Sequence, residues 1–307
     1  MASDPMLAAQ HVATSHEDAM DRRITPTCVL PFTPATHKPV PASRAPSATE
    51  RRRVALLAHT IENEVIPRLL LAREVPAAAE RAGEAGPDTA DVEALVALAM
   101  RNDLAGSVAF LSVLRTRGMS LERLYLDLLA PAARRLGVMW AEDTCDFTTV
   151  TVGLCCLQQI VMEHSAAFRP RMAPRDIDRR VLLAPAPGEQ HSFGLLLVGE
   201  FFRRQGWDVH SATGANAAEL VALVRRQWFA AVGLSIACES RLDIIASVIR
   251  DMRRTARNAR MGVLVGGRVF TDRPELTALV GADAMANDAQ GAVLKAETML
   301  ALLGREA

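Results

Sequence analysis

From residue 179 onward five short aliphatic runs, "RVLLAPAP", "GWDVHSA", "AAVGLSIA", "MGVLVGG" and "GADAMA", are each followed by a segment with helical spacing. Those segments are "SFGLLLVGEFFRRQ", "NAAELVALVRRQ", "SRLDIIASVIRDMRRTARN", "RPELTALV" and "AQGAVLKAETMLALLG". Strands that stay apolar without alternation are buried on both faces, and a strict strand–helix order pairs them in parallel with helices on either side. The expectation for 179–307 is a doubly wound, flavodoxin/Rossmann-like parallel five-stranded sheet.

Upstream the period changes. Residues 51–168 place apolar side chains three and four apart in "RRRVALLAHTIENEVIPRLLLAR", "TADVEALVALAMRND", "AGSVAFLSVLRTRG", "SLERLYLDLLAPAARRLGVMWAED" and "DFTTVTVGLCCLQQIVMEHSAAF". Turn and cap signals such as "EAGPD", "RGMS" and "AEDTCD" separate them, which predicts an N-terminal helical bundle of four or five helices. Residues 169–178 form a polar, proline-bearing linker, and residues 1–50 are a proline-rich tail too poor in periodic apolar residues to build a core. The fold class is α + α/β, and a chain of 307 residues, half of them apolar, predicts two cores of ordinary size.

Composition narrows the partners. Lys+Arg and Asp+Glu number 35 each, so no global charge draws the molecule to nucleic acid or an anionic membrane. "RDMRRTARNAR", Arg250 to Arg260, is the strongest local basic patch; it reads as a solvated helix face, with direct DNA contact as the alternative. Five cysteines without a CxxC spacing argue against a disulfide framework or a zinc ribbon, and predict a reducing, cytoplasmic location. Neither a signal peptide nor a run of about 18 apolar residues is present, so no membrane association is expected.

In a doubly wound sheet ligands sit outside the carboxyl ends of the strands. Three loops there are unusual: "PGEQHSFG" after the first strand, "LSIACES" after the third and "VGGRVF" after the fourth. In the flavodoxin-like order these strands are neighbours, so the loops converge on one crevice. The first loop lacks the Lys-Ser/Thr ending of a phosphate loop and the triple-glycine spacing of a dinucleotide site. Glu189 stands two residues before His191, close enough for a carboxylate to hold one imidazole nitrogen and leave the other as a metal donor. One histidine alone does not hold a bare ion; it suffices when the metal arrives inside a macrocycle. Gly266 and Gly267 are expected to let a bulky group approach the fourth strand. A large tetrapyrrole-like cofactor with His191 as axial ligand accounts for all three loops, and a capping or solvent-facing histidine is the other reading.

"EQHSFG" resembles the DxHxxG signature of cobalamin-binding domains, with Glu189 standing where the family has Asp. Forty residues separate Gly194 from Ser235 of "SIA", which stands where the family has SxL, and 28 separate Ala237 from the Gly266–Gly267 pair. The resemblance implies that His191 is the lower cobalt ligand and that Glu189 hydrogen-bonds it. Ser235, Gly266 and Gly267 would then contact the displaced nucleotide tail, and Gly194 would belong to the cofactor-binding site. The helical half, "LGVMWAEDTCDFTTVTVGLCCLQQIV" and "HTIENEVIPRLL", is similar to the AerR/PpaA-type antirepressors of photosynthesis genes, related to CarH-type cobalamin photoreceptors and the AppA C-terminal region. In the CarH type a bundle tryptophan covers the corrin and is followed after nine residues by Glu-His. Trp140 matches the tryptophan, whereas Val150 and Thr151 occupy the other two positions.

The resemblance therefore implies a light-responsive, non-enzymatic transcription regulator that binds adenosylcobalamin or hydroxocobalamin. It would act through a repressor of the PpsR/CrtJ type, since no helix-turn-helix precedes the bundle. A corrinoid carrier of methyl groups for a methyltransferase and a haem sensor using His191 or a cysteine are the competing expectations. Of the other candidates, Trp140 is either the cofactor cover or a core anchor, Cys155 and Cys156 read as buried small hydrophobes, and His59 and His164 read as exposed or satisfied helix residues. His210 ends the second strand and rivals His191 as a ligand.

Overall fold

A computed structural model of the chain describes residues 86–169 and 178–304. The proline-rich segment 1–50, the stretch from Arg51 with His59 for which a helix is expected, and most of the 169–178 linker lie outside the described residues. The helical region contains α1 (Thr89–Met100), α2 (Leu104–Thr116), a stretch ending in α3 (Ala130–Ala141), and α4 (Phe147–Phe168). Each start is marked by a capping side chain. Asp88 and Asp91 form a capping box, Asp103 accepts from Gly106 N–H, Ser120 from Arg123 N–H and Asp146 from Thr149 N–H.

The segment "SLERLYLDLLAPAARRLGVMWAED" reads as one regular helix, and here the structure differs. An α turn at Leu121–Arg123 passes into a π-helical run, Leu124–Leu129, before α3 begins. Pro131 is the physical reason: it has no N–H to donate and its ring crowds the carbonyl four residues back. The turn before it widens, and Ala130 N–H donates to Tyr125 O, five residues back.

The sheet follows the strand–helix alternation read from the sequence. Its strands are β1 (Arg180–Pro185), β2 (Asp208–Ser211), β3 (Ala231–Ser235), β4 (Gly262–Gly266) and β5 (Ala284–Ala286). All pair in parallel in the order β2-β1-β3-β4-β5, which is the flavodoxin-like order. The connecting helices are α5 (Phe193–Arg204), α6 (Ala217–Arg226), α7 (Leu242–Thr255), α8 (Arg268–Asp272) and α9 (Leu276–Leu279), with α10 (Ala289–Gly304) after β5.

Two cores are present, but they are not divided between helical region and sheet. One runs from Leu95 and Leu128 through Phe168 into Phe201, Leu183 and Ala296, joining the helical region to one face of the sheet. The other fills the opposite face, with Leu182, Val232, Val263, Ile245 and Phe270. At the joint Phe168 of α4 stacks on Tyr125, centroids 4.6 Å apart, and meets Phe201 of α5 edge-on at 5.0 Å. The Tyr125 hydroxyl donates to Val161 O at 3.3 Å, and burial pushes its pKa well above the usual tyrosine range.

Beside these rings lies a buried carboxylate, Glu200 of α5, with its side chain 4% exposed. It accepts hydrogen bonds from Ser165 Oγ (2.7 Å), Arg169 Nη2 (2.8 Å) and Arg203 Nη1 (3.0 Å). Burial acts to raise its pKa, but the Arg169 and Ser165 hydrogen bonds and the charges of Arg169 and Arg203 outweigh it, and the carboxyl is held below the ordinary glutamate value. A group with a depressed folded pKa contributes stability above its unfolded pKa and loses it as pH falls through the folded value. Denaturant unfolding followed by circular dichroism should therefore show stability falling once the pH passes below about 4.5, the ordinary value of Glu200, with a shallower fall in Glu200→Gln.

Candidate functional site

The carboxyl ends of β1, β3 and β4 lie side by side. Pro185 pairs with Ser235 and Ser235 with Gly266, so the last residues of three adjacent strands form one line across the sheet, neighbours about 4.8 Å apart. The three loops read from the sequence therefore leave the sheet at one place, beside the switch point between β1 and β3.

The first loop is built by a turn that its sequence dictates. Pro187 and Gly188 occupy the central positions, Gly188 has φ +77°, and Glu189 N–H closes the turn onto Ala186 O at 2.8 Å. Proline followed by a glycine at positive φ is the signature of a type II turn. It delivers Glu189 inward, side chain 5% exposed, and leaves the His191 side chain 68% exposed.

Four donors converge on the Glu189 carboxylate. His191 Nδ1 lies 2.5 Å from Oε1, which also accepts the N–H groups of Gln190 (2.9 Å) and His191 (3.1 Å); Ala237 N–H, from the loop after β3, reaches Oε2 at 3.1 Å. Burial again works against the charge, but the His191 hydrogen bonds and the Ala237 N–H prevail, and the carboxyl sits below its ordinary range. An ionised Glu189 is acceptor-only, so Nδ1 carries a proton, and in the neutral ring the lone pair is then on Nε2. Among the described residues Nε2 has no hydrogen-bond partner. Glutamate in place of aspartate thus does the orienting work here, its longer arm joining the histidine to the β3 loop as well.

Arg241, which sequence reading passed over, braces the same loop. Its Nη1 and Nη2 donate to Pro187 O (3.4 Å) and Gly188 O (3.2 Å), and a Cβ at Gly188 would fall 2.8 Å from Nη1. Nothing in "CESR" marks an arginine that folds back 53 residues along the chain.

The glycines divide in their roles. A Cβ on Gly194, in the first turn of α5, would meet nothing within 4 Å, so that surface is open. Gly267 has φ +101°, and a Cβ there would lie 2.2 Å from Ile236 O; Gly266 would meet Ala286 O at 3.2 Å. The space at Gly267 is taken by the protein's own backbone, so the β3–β4 junction itself demands that glycine. Ser235 ends β3 half-buried, its hydroxyl with no partner among the described residues.

Trp140 lies in the last turn of α3 and is 50% exposed, as a surface ring and not a core anchor; Phe147 at the start of α4 is 70% exposed. Val150 is buried and Thr151 exposed. His210 of β2 meets Phe229 edge-on, away from the β1–β3–β4 line. His164 is buried, its Nδ1 2.9 Å from Ile160 O. The cysteine pair splits: Cys156 is buried against Ser107 and burial raises its pKa, while Cys155 is exposed, correcting the reading of both as core residues. The helix carries only one of two consecutive residues inward. Arg250 to Arg260 run along the second half of α7 and the following loop. Of these, Arg253 is tied to Gly281 O and Asp283, and Arg254 to Asp251.

The residues present suit a corrinoid. Among the described residues no group of three or more His, Cys, Asp or Glu stands together as a bare metal site would require. An exposed imidazole held by Glu189, on the loop that leads to an open helix start, fits a metal that brings its other ligands in a macrocycle.

Residues 179–296 match the B12 binding domain family. The chain is 28% identical over 174 residues, 57% of its length and 90% of the relative's, to the uncharacterized 20.5 kDa protein of the bchF-crtJ intergenic region of Rhodobacter capsulatus. Its fold is similar to the monomethylamine corrinoid protein of Methanosarcina barkeri, with a TM-score of 0.56, 12% identity, and coverage of 70% of this chain and 100% of that one. Fold and site thus define a protein with a B12-binding domain behind a helical region. The B12 binding domain at 179–296, together with the relative from the bchF-crtJ intergenic region, supports a cobalamin-binding protein. No helix among the described residues is long and apolar enough to cross a membrane.

Gly267→Ala should be the most damaging of the small changes here. Positive φ and the Ile236 clash together predict a loss of at least about 2 kcal/mol in denaturant unfolding of the cofactor-free protein. Gly194→Ala should leave that stability within about 0.5 kcal/mol, because its Cβ meets open space.

Proposed function

We propose that this protein is a cytoplasmic, light-responsive, cobalamin-dependent antirepressor, which controls photosynthesis genes through a partner repressor of the PpsR/CrtJ type and not through catalysis. The observation that carries the reading is the Glu189–His191 pair, a fixed tautomer with Nε2 left open. On this reading His191 would ligate cobalt in place of the cofactor's own base, and Glu189 would orient it. Ser235, Gly266 and Gly267 would contact the nucleotide tail, Gly194 would leave room for the cofactor, and Trp140 would cover it from the helical side. When bound, an alkylcobalamin supplies a cobalt–carbon bond that visible light cleaves.

The chain's own residues supply orientation and exclusion. Glu189 keeps the Nδ1 proton in place and spares the imidazole the cost of choosing a tautomer on binding. Arg241 and the Pro187–Gly188 turn hold the loop that presents it. The regulatory half of the proposal is supported by the location of the Rhodobacter capsulatus relative, in the bchF-crtJ intergenic region.

The test is the absorption spectrum of purified protein mixed with adenosyl-, methyl- or hydroxocobalamin, or haem, in darkness and after illumination. The expected result is cobalamin loading with a light-induced spectral change that His191→Ala abolishes. Glu189→Gln should weaken cobalamin binding about 10–100-fold, the usual effect of losing the group that orients a ligating histidine. Loading by haem alone would overturn the proposal. Transfer of a methyl group from the loaded protein to a thiol or folate would favour the methyl-carrier reading instead.

A further inference from the structure

We propose that Glu200 is a positioning residue that fixes the register of α4 against α5, and with it the spacing between the His191 loop and the Trp140 end of the helical region. The inference rests on the cobalamin site proposed above.

Glu200 is the only acidic residue buried as a whole among the described residues, and it lies close enough to Tyr125 of the Tyr125–Phe168–Phe201 ring cluster for its charge to act on that hydroxyl. Taking a carboxylate out of water is costly, and a whole buried ion pair replaced by apolar residues of similar volume is often neutral or stabilising. What a buried charge adds is a unique arrangement. Apolar faces of two helices tolerate sliding, whereas a carboxylate held by both Nε (3.2 Å) and Nη2 (2.8 Å) of Arg169, and by Ser165 Oγ, is satisfied in one register alone. Arg204, from the same helix end as Arg203, extends the seam through its ion pair with Glu122 and its stack on the Phe168 ring.

α5 starts at the candidate site, and α4 starts close in sequence to Trp140. α5 begins two residues after His191, and Glu200 lies seven residues into it, about 10 Å along the axis. α4 begins seven residues after Trp140 and ends at the residues that hold Glu200. A slip of one helical turn between them, about 5.4 Å, would change the gap that a cofactor must bridge.

The experiment compares wild type with Glu200→Leu in cofactor-free and hydroxocobalamin-loaded form. Glu200→Leu takes the acceptor from Arg169, Arg203 and Ser165 and should lower apo stability, yet weaken hydroxocobalamin binding at least about tenfold beyond what that loss accounts for, with less of the His-on spectrum. In the cofactor-free variant the amides of Val161–Phe168 and Leu197–Phe201 should exchange hydrogen faster than in wild type. Wild-type affinity, spectrum and exchange in the folded variant would overturn the proposal, as would a loss of affinity no larger than the loss of stability. If the leucine variant does not fold, Glu200→Gln, which keeps the volume and the Ser165 hydrogen bond, decides by the same readouts. Wild-type protein that takes up no corrinoid would sink the cobalamin reading instead, and the exchange comparison would still decide the register.

Discussion

The site depends on one short contact, between the Glu189 carboxylate and His191 Nδ1. A buried carboxylate that accepts three backbone N–H groups and an imidazole has no free direction left, so the ring it holds has a fixed tautomer and a narrow range of orientations. The rest of the loop serves that contact. A proline–glycine turn swings the carboxylate inward, Arg241 ties the turn to the loop after β3, and Ala237 N–H closes the link across the switch point. Pre-organisation of this kind places the cost of ordering the ligand on folding and not on binding.

Much of this was legible in the chain. Fully buried parallel strands need continuous aliphatic runs, and that demand is visible in "VLLA", "VGLS" and "VLVG" without any structure. Once the strand order is 2-1-3-4-5, the positions of His191, Ser235 and Gly266 follow from parallel register. What the sequence concealed has a common cause. Periodicity tells which face of an element is apolar, but not which element covers it. Thus Glu200 in "GEFFRR" reads as an ordinary polar position, although α4 buries it. Cys155 and Cys156 read alike, although only one faces the core. Arg241 and Arg169 act across long stretches of sequence, and local patterning carries no sign of such reach.

Gly267 shows how a motif residue can be required for two reasons. Its positive φ and the 2.2 Å approach of Ile236 O make it indispensable to the β3–β4 junction before any ligand is considered. A glycine pair at a strand end is therefore evidence for close packing of some kind, and the choice between backbone and cofactor comes from the neighbours. Gly194, whose missing side chain leaves open space, speaks more directly for an approach from outside.

The most direct measurement of the axial ligand is electron paramagnetic resonance of the protein loaded with cobalamin in its cobalt(II) state, prepared once with ordinary and once with ¹⁵N-labelled histidine. Nitrogen coupling that changes from triplet to doublet on labelling, and disappears in His191→Ala, is the result this account predicts. Coupling unaffected by the label, as the cofactor's own benzimidazole would give, would contradict it.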